Sequence, residues 1–88
     1  MDWKIRFEAK AKKQLGKLGP EIQLQITSYL FQRVAVEPDP RLLGKALSGT
    51  LRGYWRYRVG DYRIICEIRN NELLVLVIEV GHRREVYR

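Results

Sequence analysis

Residue types that commonly carry metal, disulfide or triad chemistry are scarce in this 88-residue sequence, which has one cysteine and one histidine. A lone cysteine, Cys66, excludes an internal disulfide framework and fits a reducing compartment. One histidine beside one cysteine leaves no ligand cluster at usable spacing, so neither a metal nor another cofactor is expected. Ser-His-Asp patterns, paired carboxylates and glycine-rich phosphate loops are also missing. No apolar run approaches the roughly 18 residues of a membrane span, and the opening "MDWKIRFEAK" has no signal-peptide apolar core. A cytoplasmic chain with no membrane partner is the expectation. Lysine, finally, is absent after residue 45. All six lysines lie at or before Lys45, whereas eight of eleven arginines lie at or after Arg52.

What is abundant is positive charge. Seventeen Lys plus Arg against ten acids leave +7, with a pI near 9.9, which points to nucleic acid or an acidic partner. The arginine fork matches phosphate oxygens in pairs, so its concentration in the second half suggests phosphate chemistry there. The lysines of the first half read more simply as solvated surface.

Residues 1–88 are expected to form one domain, with no repeats, linkers or low-complexity segments. Trp3, Ile5 and Phe7 alternate with Lys4 and Arg6, the pattern of a half-buried strand. Ala11, Leu15 and Leu18 then mark one helical face, and Gly19-Pro20 ends that helix and begins a second. Ile22, Ile26, Tyr29, Leu30 and Val34 form the second helix's apolar stripe, closed by "VEPDPR". The cluster Lys10, Lys12, Lys13 and Lys17 is either solvated or a docking patch for RNA. Strands follow at about 54–59, 62–69 and 72–80, with two-residue turns at Gly60-Asp61 and Asn70-Asn71. The stretch "LLVLVIEV" reads as a central strand covered on both faces. The expectation is an α+β fold, β-α-α-β-β-β, with an antiparallel or mixed four-stranded sheet and an N-terminal helical hairpin on one face.

The hairpin "YWRYRVGDYRI" carries the charge. A two-residue turn at Gly60-Asp61 pairs Val59 with Tyr62 and sets Arg58 across from Arg63. Arg56, Arg58 and Arg63 then share one face, and Trp55, Tyr57, Val59, Tyr62 and Ile64 the other. The aromatic face, with Cys66, belongs to the core. Two unit charges about 5.5 Å apart repel by roughly 0.8 kcal/mol in water and about 3 kcal/mol at an effective dielectric of 20. Glu67 shares the arginine face and can offset part of this, but one acid cannot neutralise three cations. An external anion, best a phosphate, resolves the conflict. The tail "VGHRREVYR" adds His82, Arg83, Arg84, Glu85, Tyr87 and Arg88 to the inventory.

The segment "KALSGTLRGYWRYRVGDYRIICEI" and the later "VGHRREVY" resemble the RelE-type toxins of bacterial toxin–antitoxin pairs. The likeness covers nearly the whole chain. It implies a microbial-RNase-like fold and a metal-free mRNA interferase that cuts mRNA in the A site of the 70S ribosome. It also implies a RelB-like antitoxin bound in a hetero-oligomer. Carried over, the family's basic strand pair falls on Arg56 and Arg58, its strand arginine on Arg63, its tail arginine on Arg83 and its C-terminal tyrosine on Tyr87. Arg63, Arg83, Tyr87 and Arg58 are thus the expected catalytic residues. Arg56, Arg58, His82, Arg84, Arg88, Lys10 and Lys13 are the expected RNA-binding ones. Well-known members have lysines where Arg56 and Arg58 stand, and arginine is a poor proton acceptor. Two other readings stay open: a ParE-type gyrase poison of the same fold, and a small RNA-binding protein with no activity.

Overall fold

The computed structural model describes residues 2–82. Its elements are β1 (Lys4–Phe7), α1 (Ala9–Gly16), α2 (Pro20–Tyr29), β2 (Lys45–Ala46), β3 (Trp55–Val59), β4 (Tyr62–Arg69) and β5 (Leu74–His82). They form a five-stranded sheet in the order β1-β5-β4-β3-β2. β1 runs parallel to β5, and the other neighbours are antiparallel. The α+β class and the helical hairpin agree with the sequence reading, and β5 is an interior strand as its apolar run requires. The strand count does not agree. β2 is too short to show any alternation, so the residue pattern marks only four strands.

Trp3, Ile5 and Phe7 point to the helices as their alternation demands, with Trp3 buried. Pro20 opens α2 directly after the turn. Past Tyr29 the helix widens into a π turn over Leu30–Val34, closed by the Ala35 N–H donating to the Leu30 carbonyl at 2.9 Å. The wider turn keeps Leu30, Val34 and Ala35 all buried. From the sheet, Tyr57, Ile64, Cys66, Val75, Val77 and Val80 meet them in one core. Each fully buried aliphatic of this kind contributes roughly 1.5–3 kcal/mol.

The loop between α2 and β3 is held by three aromatic donors. Trp3 Nε1 donates to the Pro38 carbonyl (3.2 Å), the Tyr57 hydroxyl to the Pro40 carbonyl (2.7 Å), and Trp55 Nε1 to the Leu43 carbonyl (2.7 Å). Gly44 follows at φ +75°, against β3. The Gly60-Asp61 turn forms as expected, with Gly60 at φ +58° as a type II′ turn requires at its first position. The second turn is different. Arg69 pairs with Leu74, so the connection has four residues and β5 begins two positions later than expected. Asn70–Glu72 makes a 3₁₀ turn and Leu73 adopts the left-handed conformation, φ 49°. Two contacts decide this: Leu73 packs against the core, and Asn70 Oδ1 accepts a 2.9 Å bond from Arg41 Nη1.

One irregularity sets the faces of β5. Ile65 pairs with Glu79 and Cys66 with Val77, which leaves Ile78 as the extra residue of a bulge. Before the bulge Val75 and Val77 face the helices; after it Val80 and His82 do. Glu79 and Gly81 are thereby turned to the opposite face.

Candidate anion site on the arginine face

The β3–β4 ladder pairs Arg58 with Arg63, Arg56 with Ile65, and Val59 with Tyr62. Arg56, Arg58 and Arg63 therefore lie on the face away from the helices, as the sequence predicts. Their exposures differ. Arg63 is 8% exposed and is the buried charged residue of the described chain, Arg56 is half-buried, and Arg58 is exposed. Gly81 stands opposite Arg63 on β5, in the register set by the bulge at Ile78, and adds no side chain there. Ile65, in register between Arg56 and Glu79, is fully buried on this same face.

Glu67 and Glu79 are the acids closest in register. Glu67 bonds Arg69 Nη2 at 3.0 Å, and Glu72 meets the same guanidinium at 3.6 Å. The Arg69 pKa is pushed up, first by its hydrogen bond with Glu67. Glu67 is thus engaged with Arg69, where the sequence suggested relief of the hairpin arginines. Glu79 meets Lys10 Nζ at 3.5 Å. Three fixed cations thus share one face of a strand pair, the inner one buried and the outer one exposed. Guanidinium groups are of the chemistry that suits an anion with several oxygens.

Lys10 and Lys13 lie exposed on α1, Lys10 at the edge of the arginine face through Glu79. His82 is elsewhere. It pairs with Tyr62 and stacks edge-to-face on that ring, centroids 5.6 Å apart, on the helix side of the sheet. Arg83, Arg84, Tyr87 and Arg88 lie outside the described residues. Among the described residues no group of three or more His, Cys, Asp or Glu is gathered where it could hold a metal ion. Cys66 is fully buried, and burial pushes its thiol pKa up. Sequence reasoning missed Gly81 and the bulge before it. The available signal was a glycine interrupting an otherwise apolar strand, a mark of a bulge or a close approach.

Comparison with known proteins places the chain's family and fold. The family profile described as "ParE toxin of type II toxin-antitoxin system, parDE" matches residues 5–87. Toxin RelG of Mycobacterium tuberculosis (strain ATCC 25618 / H37Rv) is 32% identical over 88 residues, covering 100% of this chain and 99% of that protein. The mRNA interferase toxin RelE of Escherichia coli (strain K12) is 31% identical over 90 residues, covering 99% of this chain and 92% of that protein. Among solved structures, a chain of the RelBE2 toxin–antitoxin complex from Mycobacterium tuberculosis superposes with a TM-score of 0.86. It is 30% identical and covers 94% of this chain and 100% of its own.

Proposed function

The chain belongs to the RelE-type toxins of the RelE/ParE superfamily, the toxin halves of type II toxin–antitoxin systems, and we propose that it is an endoribonuclease that cuts mRNA in the ribosomal A site. The observation that carries this reading is the arginine triplet of the hairpin, with Arg63 buried at its centre and Arg58 exposed across from it. The name of its relative RelE, an mRNA interferase, supports the same activity.

The chemistry needs no metal. The ribose 2′-oxygen attacks the adjacent phosphorus and the 5′-oxygen leaves, so negative charge builds on the phosphate oxygens and then on the leaving group. Arg63 clamps the phosphate, with Arg58 and Arg83 beside it, because preorganised cations stabilise charge where it develops. Arg56 and Arg58 stay protonated throughout and act as electrostatic supports, not as proton acceptors. Tyr87 stacks on an exposed base and holds the nucleotide in line for attack. Arg56, Lys10, Lys13, His82, Arg84 and Arg88 contribute the wider attraction for mRNA and ribosome. A missing side-chain base costs on the order of 10²–10⁴ in rate, which the shaping of mRNA by the ribosome offsets in part. The antitoxin partner is a RelB-like chain whose acidic or amphipathic segment covers the basic face. Toxin–antitoxin complexes of relatives support an antitoxin partner.

Mapping mRNA 5′ ends after brief expression tests the reading. New ends inside translated codons are expected for the wild type and not for Arg63→Ala. Because the matching profile carries the ParE name, plasmid supercoiling is measured in the same cells. Intact mRNA with disturbed supercoiling would replace this function with gyrase poisoning.

A further inference from the structure

On the opposite face from Arg63, at the same end of the sheet, a cleft of about 420 Å³ opens between the helical hairpin and the strand ends. Gln14, Lys17 and Leu18 form one wall, and Tyr62, Val80 and His82 the other. We propose that this cleft is a second RNA subsite that takes one nucleotide of the strand held by the arginines, its base inside and its phosphate at Lys17. This rests on the endoribonuclease reading and extends it to the other side of the sheet.

The lining has the right chemistry for a planar, anionic ligand. It contains two cations or potential cations, Lys17 and His82, and no carboxylate. Leu18 and Val80 supply apolar surface, and the half-buried Tyr62 and His82 rings, set at 82° to each other, offer a ring wall for a base. Gln14 is held in place because its Oε1 accepts the Val80 N–H at 2.7 Å. That bond fixes the amide at the cleft wall, where a base presents donors and acceptors. Lys17 is exposed and has no ion pair among the described residues. The volume lies at the small end of ligand sites, suited to one nucleotide and not to a duplex.

Position argues for the same strand. Arg63 pairs with Gly81, and the next pair along is Tyr62 with His82. The phosphate clamp and the cleft are thus adjacent rungs of one ladder on opposite faces. Gly81, opposite Arg63, carries no side chain, so between the two rungs no β5 side chain stands on the arginine face.

The test is a titration of the isotopically labelled full chain with each of the four nucleoside 5′-monophosphates, and with inorganic phosphate as control. Ring signals of Tyr62 and His82 and methyl signals of Leu18 and Val80 should shift saturably with a nucleotide and not with phosphate. Lys17→Glu, whose amide spectrum away from the cleft reports the fold, should weaken that binding about tenfold or more. Shifts confined to Arg56, Arg58 and Arg63 would overturn the subsite. So would saturation of the cleft by an acidic antitoxin peptide and by no nucleotide. The two readings fail separately. mRNA cleavage without nucleotide in the cleft removes only the subsite, whereas nucleotide in the cleft without mRNA cleavage removes only the nuclease.

Discussion

Arg58 and Arg63 face each other across the β3–β4 ladder, the first exposed and the second buried. Like charges placed directly opposite oppose strand pairing. An oxyanion bound between them converts repulsion into two charge-assisted contacts. Millimolar phosphate at constant ionic strength should therefore raise the melting temperature of the wild-type chain. Arg58→Ala should lose most of that rise. In low salt without phosphate, the variant should match the wild type or exceed it by up to about 1 kcal/mol. Equal melting temperatures with and without phosphate, together with a destabilised Arg58→Ala, would remove the anion site.

The pairing of these two arginines is legible in the sequence because a two-residue turn leaves no freedom in register. The hairpin faces, the helix boundary at Gly19-Pro20 and the aromatic core follow from the same local rules. β2 is not legible, since two residues carry no period. Nor is the second turn: an Asn-Asn dipeptide suits a tight hairpin, but packing of Leu73 outweighs it. The bulge at Ile78 is a third case. From Leu74 to Ile78 the strand is wholly apolar, so no polar residue there reports which side is out, and only Glu79 and Gly81 beyond the bulge mark the switched face. That switch puts Gly81 opposite Arg63 and His82 on the helix side.

Two buried acids of the core predict an alkaline limit. Tyr57 and Cys66 have ordinary pKa values of 10.0 and 9.0, and burial pushes both upward. The folded state thus keeps protons that the unfolded chain releases. Their contribution to stability is complete below these ordinary values and is lost as pH rises above them. The urea midpoint should fall from about pH 9 upward, each group adding at most about 1.4 kcal/mol per pH unit. Tyr57→Phe should lose about 0.5–1.5 kcal/mol at neutral pH, where its bond to the Pro40 carbonyl is missing, yet decline less steeply above pH 10. In the native chain Cys66 should react with a thiol reagent only as fast as the protein opens. A midpoint that rises between pH 9 and 11 contradicts the sign argued here.

Gly44 closes the loop onto β3. Its φ is +75°, and a Cβ would strike the Arg56 carbonyl, Trp55 Nε1 and the Tyr57 ring. Gly44→Ala combines a left-handed backbone with a backbone clash, so a loss of about 2 kcal/mol or more in denaturant unfolding is expected. Gly49, also at positive φ but with nothing within 4 Å of a Cβ, serves as the control. Its alanine variant should cost about 1 kcal/mol, from the backbone alone. Equal losses at the two positions would show that the contact with Arg56 is not tight.

Tyr87 lies outside the described residues, and its role is fixed by a pair of substitutions in translated-mRNA cleavage. It sits between Arg84 and Arg88, with Arg83 close before it, a setting that favours a nucleotide over a core. Tyr87→Phe keeps the ring and loses the hydroxyl, whereas Tyr87→Ala loses both. If the ring stacks on an exposed base, Phe should retain most of the cleavage rate. Ala should then lose about 1–3 kcal/mol of binding to that base, seen as a roughly 5- to 150-fold lower kcat/KM. Equal loss in both variants transfers the role from stacking to proton transfer by the hydroxyl. Melting temperatures within a degree or two of the wild type separate either outcome from a tyrosine that merely caps the fold. A normally active Tyr87→Ala, or one that loses activity only by unfolding, takes Tyr87 out of the site and leaves the arginine face to act without it.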